Sequence, residues 1–117
     1  MVIETPQPQG LATFYERLLG WERVEDHPMW VRIKPPGGGQ GISFSIAEDY
    51  VRPVWPATPG QQQMMTHLDI AVENLESGVA WAKELGAEPA EFQPQPHVRV
   101  MLDPDGHPFC LFAGPVD

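Results

Sequence analysis

The sequence predicts an α+β fold in which two paired βαβββ modules form a curved mixed sheet around a cleft. Three observations support it. Two segments carry apolar residues at helical spacing, each stops at a glycine, and each is flanked by one strand-like run before it and three after it. The stopping glycines, Gly20 and Gly86, lie 66 residues apart, and that shift places Tyr15 on Trp81, Arg17 on Lys83 and Leu19 on Leu85.

Module one opens with "VIET" at residues 2–5. "QGLATFYERLLG" at 9–20 follows, with Leu11, Phe14, Tyr15, Leu18 and Leu19 on one side of a helix and Gly20 able to take the left-handed angles of a helix stop. "WERVED", "MWVRIK" and "GISFSIA" supply three strands, the alternation being clearest in "VRI" and "SFSI". "PPGGGQ" at 35–40 reads as a turn, because it lacks the lysine and the following helix of a phosphate-binding loop. Residues 48–63, "EDYVRPVWPATPGQQQ", contain Pro53, Pro56 and Pro59 and read as an extended linker. Tyr50 and Trp55 within it suit a segment that packs over a surface, either a binding site or simply the outside of a sheet.

Module two repeats the order. "THLDIAV" is its first strand; Asn74 caps a helix over 74–86 whose stripe is Leu75, Val79, Ala82 and Leu85; then come "AEPAEF", "HVRVML" and "PFCLFA". Pro89 marks "AEPAEF" as an edge strand or a bent start. The expectation is one domain over 1–117, with module one at about 1–47, the linker at about 48–63 and module two at about 64–117.

With 117 residues, 42% hydrophobic and 20% charged, the chain can bury one core and is not a disordered tail. No apolar run reaches the roughly 18–20 residues that span a bilayer, and "MVIETPQPQG" has neither the basic start nor the apolar core of a signal peptide, so a cytoplasmic address is expected. Cys110 is the only cysteine, which excludes an intrachain disulfide and a cysteine-based zinc knuckle. Seven basic against sixteen acidic residues give a net charge of −9. That field repels nucleic acid and anionic membranes and suits a neutral or cationic small molecule.

Strand alternation then assigns faces. Leu68, Ile70 and Val72 form the apolar set that a helix must cover, which turns His67 and Asp69 to the cleft. By the same rule Cys110 and Phe112 face inward from "PFCLFA", Ser43 and Ser45 from "GISFSIA", and Arg99 and Met101 from "HVRVML", with an Asp69 to Arg99 ion pair within reach. His107, in "DGHP", reads as structural, its ring donating to turn carbonyls, and His27 and His97 read as solvated. Asp103 and Asp105 are spaced as turn formers and not as an acid/base pair. Cys110 reads as a small buried hydrophobe, or as a nucleophile if His67 lowers its thiol pKa. No strained glycine elbow supports serine-hydrolase chemistry.

"FYERLLGW", "HLDIAV" and "LDPDGHPFCLF", in that order across nearly the whole chain, resemble the vicinal oxygen chelate superfamily of glyoxalases, bleomycin-resistance proteins and extradiol dioxygenases, and within it the small glyoxalase-like proteins of bacteria. The resemblance implies paired βαβββ modules, a cleft within a subunit or across a subunit interface, and frequent homodimers. In metal-using members it implies four ligands from the first and last strands of each module. His67 matches one of them; Cys110 stands where those members carry a glutamate; the third place falls at Phe44 or Ser45; and the first is absent, with Glu4 an imperfect substitute. The expectation is therefore no resident metal, or at most a divalent ion on His67 with Cys110 and Glu4 or Asp69.

The leading expectation is a cytoplasmic homodimer whose cleft binds a modest, partly aromatic molecule without an obligatory metal, sequestering a toxic or antibiotic-like compound as resistance members of the superfamily do. Trp30, Tyr50, Trp55 and Phe112 would give flat apolar surface, and His67, Asp69, Arg99 and Ser45 would orient polar groups. Two alternatives stand beside it: a metal-dependent lyase, isomerase or dioxygenase, and a dimeric scaffold with a filled cleft.

Overall fold

In the computed structural model, residues 1–113 are described. The chain divides into two compact units, Met1–Tyr50 and Val51–Asp117, so the proline-rich segment after Tyr50 folds with the second module. Each unit is a βαβββ module with a four-stranded mixed sheet, and neither sheet closes on itself.

The first unit comprises β1 (Val2–Thr5), α1 (Pro8–Leu19), β2 (Glu22–His27), β3 (Trp30–Lys34) and β4 (Ile42–Ile46), with sheet order β1-β4-β3-β2. β1 runs parallel to β4, as the intervening helix requires, and the remaining pairs are antiparallel hairpins. Register puts Ile3, Phe44 and Val31 side by side beneath α1. The helix answers with Leu11, Ala12, Phe14 and Tyr15, all buried. Tyr15 stacks on Phe44 with ring centroids 5.6 Å apart and takes the edge of Phe14 at 4.9 Å. Gly20, at φ 71°, ends the helix as its spacing predicts. Arg23 on β2 ties the sheet to the helix, reaching Glu16 at 2.6 Å, Thr13 Oγ1 at 3.1 Å and the Gln9 carbonyl at 3.2 Å.

The second unit comprises β5 (Leu68–Val72), α2 (Leu75–Leu85), β6 (Glu88–Pro89), β7 (Val98–Leu102) and β8 (Pro108–Ala113), with order β5-β8-β7-β6. Its core lies mainly in the sheet, where Met101, Phe109 and Leu111 are almost wholly buried on the α2 side. The helix contributes only Ala82 as a fully buried residue, and Trp81 is 46% exposed. Asn74 Oδ1 accepts the Ser77 amide at 2.9 Å, a helix cap, and Gly86 at φ 116° stops the helix. "AEPAEF" yields a strand of only two residues, because Pro89 has no amide to continue a ladder.

The sharp turn between β7 and β8 is organised by a side chain. The buried carboxylate of Asp103 accepts the amides of Asp105 and His107, each at 2.9 Å, and the His107 ring through Nδ1 at 2.8 Å. His107 is built into the turn, and its ring has a partner the sequence reading did not name, the Asp103 carboxylate.

Candidate functional site

β5 and β8 run parallel with Asp69 opposite Cys110 and Ala71 opposite Phe112. Residues opposite one another share a face, so Asp69 and Cys110 stand together on the side of the sheet away from α2. On the α2 side, a Cβ at Gly78 would lie 3.1 Å from Val72, which fixes which face the helix covers. A pocket of about 420 Å³ lies on the other face, a volume in the range of small-molecule sites. His67, Asp69, Cys110 and Phe112 line it together with Trp55, Val98, Val100, Pro94 and Gln95.

Trp55 comes from the linker. It lies over His67 with ring centroids 5.0 Å apart and meets the edge of Phe92 at 5.3 Å. The peptide bond from Trp55 to Pro56 is cis, and Val54 bridges to Gln63, so the segment closes into a loop. Pro94 and Gln95 are held by Gln93, whose side chain imitates a strand. Its Oε1 accepts the Val100 amide at 2.9 Å while its Nε2 donates to the Val100 carbonyl at 2.9 Å and to the Ala90 carbonyl at 2.9 Å. Gln93, Pro94 and Gln95 were invisible to periodicity, for "FQPQPH" carries none; the one available signal was a glutamine in a strand gap too irregular to pair by backbone.

The polar floor is compact. His67 Nε2 lies 3.1 Å from Asp69 Oδ1, and the donor atoms of His67, Asp69 and Cys110 all fall within 4.8 Å of one another. Cys110 is only 4% exposed, and burial first, then the charge of Asp69 and a hydrogen bond to it, push its thiol up to about 11. The thiol is thus neutral at physiological pH, the reverse of an activated nucleophile.

The face of β7 differs from the sequence expectation. Val98 pairs with Phe112 and Val100 with Cys110, so the valines line the pocket, whereas Arg99 and Met101 pair with Leu111 and Phe109 on the opposite face. Met101 is wholly buried in the core, and Arg99 donates to the carbonyls of Pro96 and Val98. Hydrophobicity alone favours burying Val98, Val100 and Leu102 over His97, Arg99 and Met101, but pairing with β8 sets the opposite register, with the two valines forming apolar pocket wall and Met101 the core. The expected ion pair between Asp69 and Arg99 is accordingly not formed.

The remaining expected residues belong to the first unit. Ser45 lies between Glu4 and Trp30 in register, on the face opposite Phe44, with Ser43 two residues away. Trp30 stacks on His27 at 4.8 Å, and Tyr50 ends the unit half-buried. The metal set that the resemblance implies is not matched by these strands: β4 offers hydroxyls at Ser43 and Ser45 and a buried ring at Phe44, and β8 offers a thiol where a carboxylate would be needed. An oxygen-rich divalent site does not fit these donors.

Among the described residues no helix is long and apolar enough to cross a membrane. No curated protein matches the chain. A glyoxalase/bleomycin resistance protein/dioxygenase family enzyme from Burkholderia phytofirmans is similar in structure, with TM-score 0.69 at 20% identity over 95% of this chain and 93% of that one. The glyoxalase family protein from Enterococcus faecalis gives 0.66 at 24% identity over 96% and 93%. The fosfomycin resistance protein FosX from Listeria monocytogenes gives 0.72 at 14% identity over 98% and 87%. These likenesses are of fold. The model of the glyoxalase-like domain matches residues 1–112, nearly the entire sequence, and the chain therefore belongs to the glyoxalase-like family of the vicinal oxygen chelate superfamily.

Proposed function

We propose that the protein is a small-molecule-binding member of this family, whose second-module pocket takes a modest, partly aromatic molecule and does not need a metal to hold its organic body. The observation that carries the reading is the pairing of flat surfaces with an acidic, polar floor. Trp55 and Phe112 offer rings for stacking, Val98 and Val100 add apolar wall, and His67 and Asp69 offer hydrogen bonds and negative charge. Asp69, its side chain 63% exposed, together with the net charge of −9, favours a ligand bearing an amine or other cation. Sequestration of a toxic or antibiotic-like compound by a homodimer is the biological role we attach to it, supported by the resistance proteins among its structural neighbours.

The test is a panel of planar aromatic amines followed by thermal shift and tryptophan fluorescence, in chelator. A member that binds should raise the melting temperature and quench Trp55, and Trp55→Ala should weaken binding by roughly tenfold or more, the loss of one aromatic contact of about 1.5 kcal/mol. A panel that leaves melting unchanged, or binding indifferent to Trp55→Ala, would sink the reading. Sizing by light scattering tests the homodimer separately.

A further inference from the structure

Trp55 forms a wall of the pocket although it belongs to no helix or strand, so its place over the floor depends on how its segment is attached. We propose that Arg52 is the positioning residue of this wall: laid across Gly106 in the β7–β8 turn, it pins residues 51–63 so that Trp55 stays over His67, and it thereby sets the pocket's affinity for flat ligands. The pin is a statement about the folded chain alone; its effect on affinity rests on the binding function proposed above.

The contact between Arg52 and the turn is close. A Cβ on Gly106 would lie 2.5 Å from both Cγ and Cζ of Arg52 and against its Nε, so the arginine fills the space that any other side chain at 106 would take. Gly106 is buried, with φ 87°, and Arg52 is exposed, so the arginine lies over the turn as a cover. Its stem can pack on the glycine while the charged head keeps its water. The charges are complementary as well: Arg52 is the one charged residue in 51–63, and the turn carries Asp103 and Asp105.

The attachment reaches the pocket over a short, stiff link. Leu68 pairs with Phe109 and Leu102 with Pro108, so His67 and the β7–β8 turn lie at the same end of the sheet. Trp55 follows Arg52 by three residues, a reach of about 10 Å when extended, and Pro53 keeps Arg52 away from helical angles. Beyond Trp55 the segment bonds to itself: the Val54 amide donates to the Gln62 carbonyl at 2.8 Å and the Gln61 amide to the Thr58 carbonyl at 3.1 Å, while residues 56–63 are exposed. The indole is left with its contacts to His67 and Phe92. Each ring contact of this kind favours the seated position by only roughly two- to tenfold. The Arg52 anchor therefore decides how much of the time the wall stands ready, and a ligand that meets a ready wall does not have to order it.

The experiment labels the full chain with 5-fluorotryptophan, so that its four tryptophans give four fluorine resonances, Trp55 being assigned by its loss in Trp55→Phe. Without ligand, Arg52→Ala should move the Trp55 resonance toward its position in the urea-unfolded chain, as the ring currents of His67 and Phe92 are withdrawn, and leave Trp21, Trp30 and Trp81 in place. Arg52→Lys, which keeps an unbranched stem and the charge, should restore most of the native position. For an aromatic amine that binds the unaltered chain in chelator, Arg52→Ala should weaken binding roughly three- to tenfold, chiefly through faster release. A Trp55 resonance that stays put in Arg52→Ala, equal movement of all four resonances, an Arg52→Lys variant no better than Arg52→Ala, or unchanged affinity beside a displaced Trp55 would each overturn the proposal. Failure of every amine to bind the unaltered chain would strike the binding function and with it the claim on affinity, whereas the ligand-free spectra decide the anchor by themselves.

Discussion

The two modules share one topology and spend it differently. In the first, α1 drives Leu11, Ala12, Phe14 and Tyr15 into the sheet, and Tyr15 stacks on Phe44. In the second, Trp81 occupies the position that corresponds to Tyr15 and lies exposed, while Ala82 alone is fully buried from the helix. The helix-free face reverses the contrast. The first module's carries Glu4, Ser43, Ser45 and an Arg32 to Glu25 ion pair at 2.5 Å, and the second module's carries the pocket with its imidazole, carboxylate and thiol. The repeated unit is thus tightly packed in one half and leaves an open pocket in the other.

The largest effect should come from breaking the packed half. Tyr15→Ala removes a fully buried ring held by two aromatic partners and is expected to cost about 3–5 kcal/mol in urea denaturation. Trp81→Ala, at the corresponding site of module two, should cost no more than ~0.5–1 kcal/mol because the ring is already half in water. Equal losses at the two positions would abolish the distinction between the modules.

Next in size is the β7–β8 turn. Asp103→Ala strands two backbone amides and the His107 ring and should cost about 2–3 kcal/mol. The β3–β4 connection of module one does the same job with Gly37, Gly38 and Gly39 at positive φ, so Gly38→Ala there is expected to cost only ~1 kcal/mol, by backbone strain. Comparative denaturation of the two variants would measure the difference between a turn held by a side chain and a turn permitted by glycine.

Cys110 gives a pH test that has no counterpart in module one. Folding raises its thiol from an ordinary 9.0 to about 11, through burial first and Asp69 second. The folded chain therefore keeps a proton that the unfolded chain has lost, and the resulting stability is whole below about pH 9 and lost as pH climbs toward 11. Subtracting the pH profile of Cys110→Ala cancels the lysines and tyrosines that also titrate there. A difference that stays flat from pH 9 to 11 would show that the thiol is not desolvated as its burial requires.

Much of this site is legible where alternation has a single solution. β5 offers Leu68, Ile70 and Val72 against His67 and Asp69, so only one face can meet a helix. β7 offers Val98, Val100 and Leu102 against Met101 and an arginine whose long stem tolerates either side, and there parity misassigned Arg99 and Met101. Trp55 could be suspected because a proline-rich linker has little reason to carry a large ring, but its seat over His67 depends on how the loop closes, which no local pattern encodes. Asp103 was recognisable as a turn former, whereas its coupling to His107 needed the three-dimensional turn.

The smallest predicted effect on global stability is the most local test of the pocket. Gln93 substitutes for backbone on the edge of β7, closing the ladder where residues 90–95 leave strand geometry. Gln93→Ala removes three side-chain hydrogen bonds from an exposed residue, so the global loss should be only about 1 kcal/mol, water replacing what the amide supplied. The effect at Val100 should be much larger. Its amide now donates to Gln93, and freeing it should raise its hydrogen exchange well beyond that of Val98 or Met101 on the same strand. Because Pro94 and Gln95 form one wall of the pocket, the same variant should weaken binding of an aromatic ligand more than it lowers the melting temperature. If Val100 stays protected in Gln93→Ala, the wall is held by its prolines, and the pocket of module two would be as rigid as the packed half it is contrasted with.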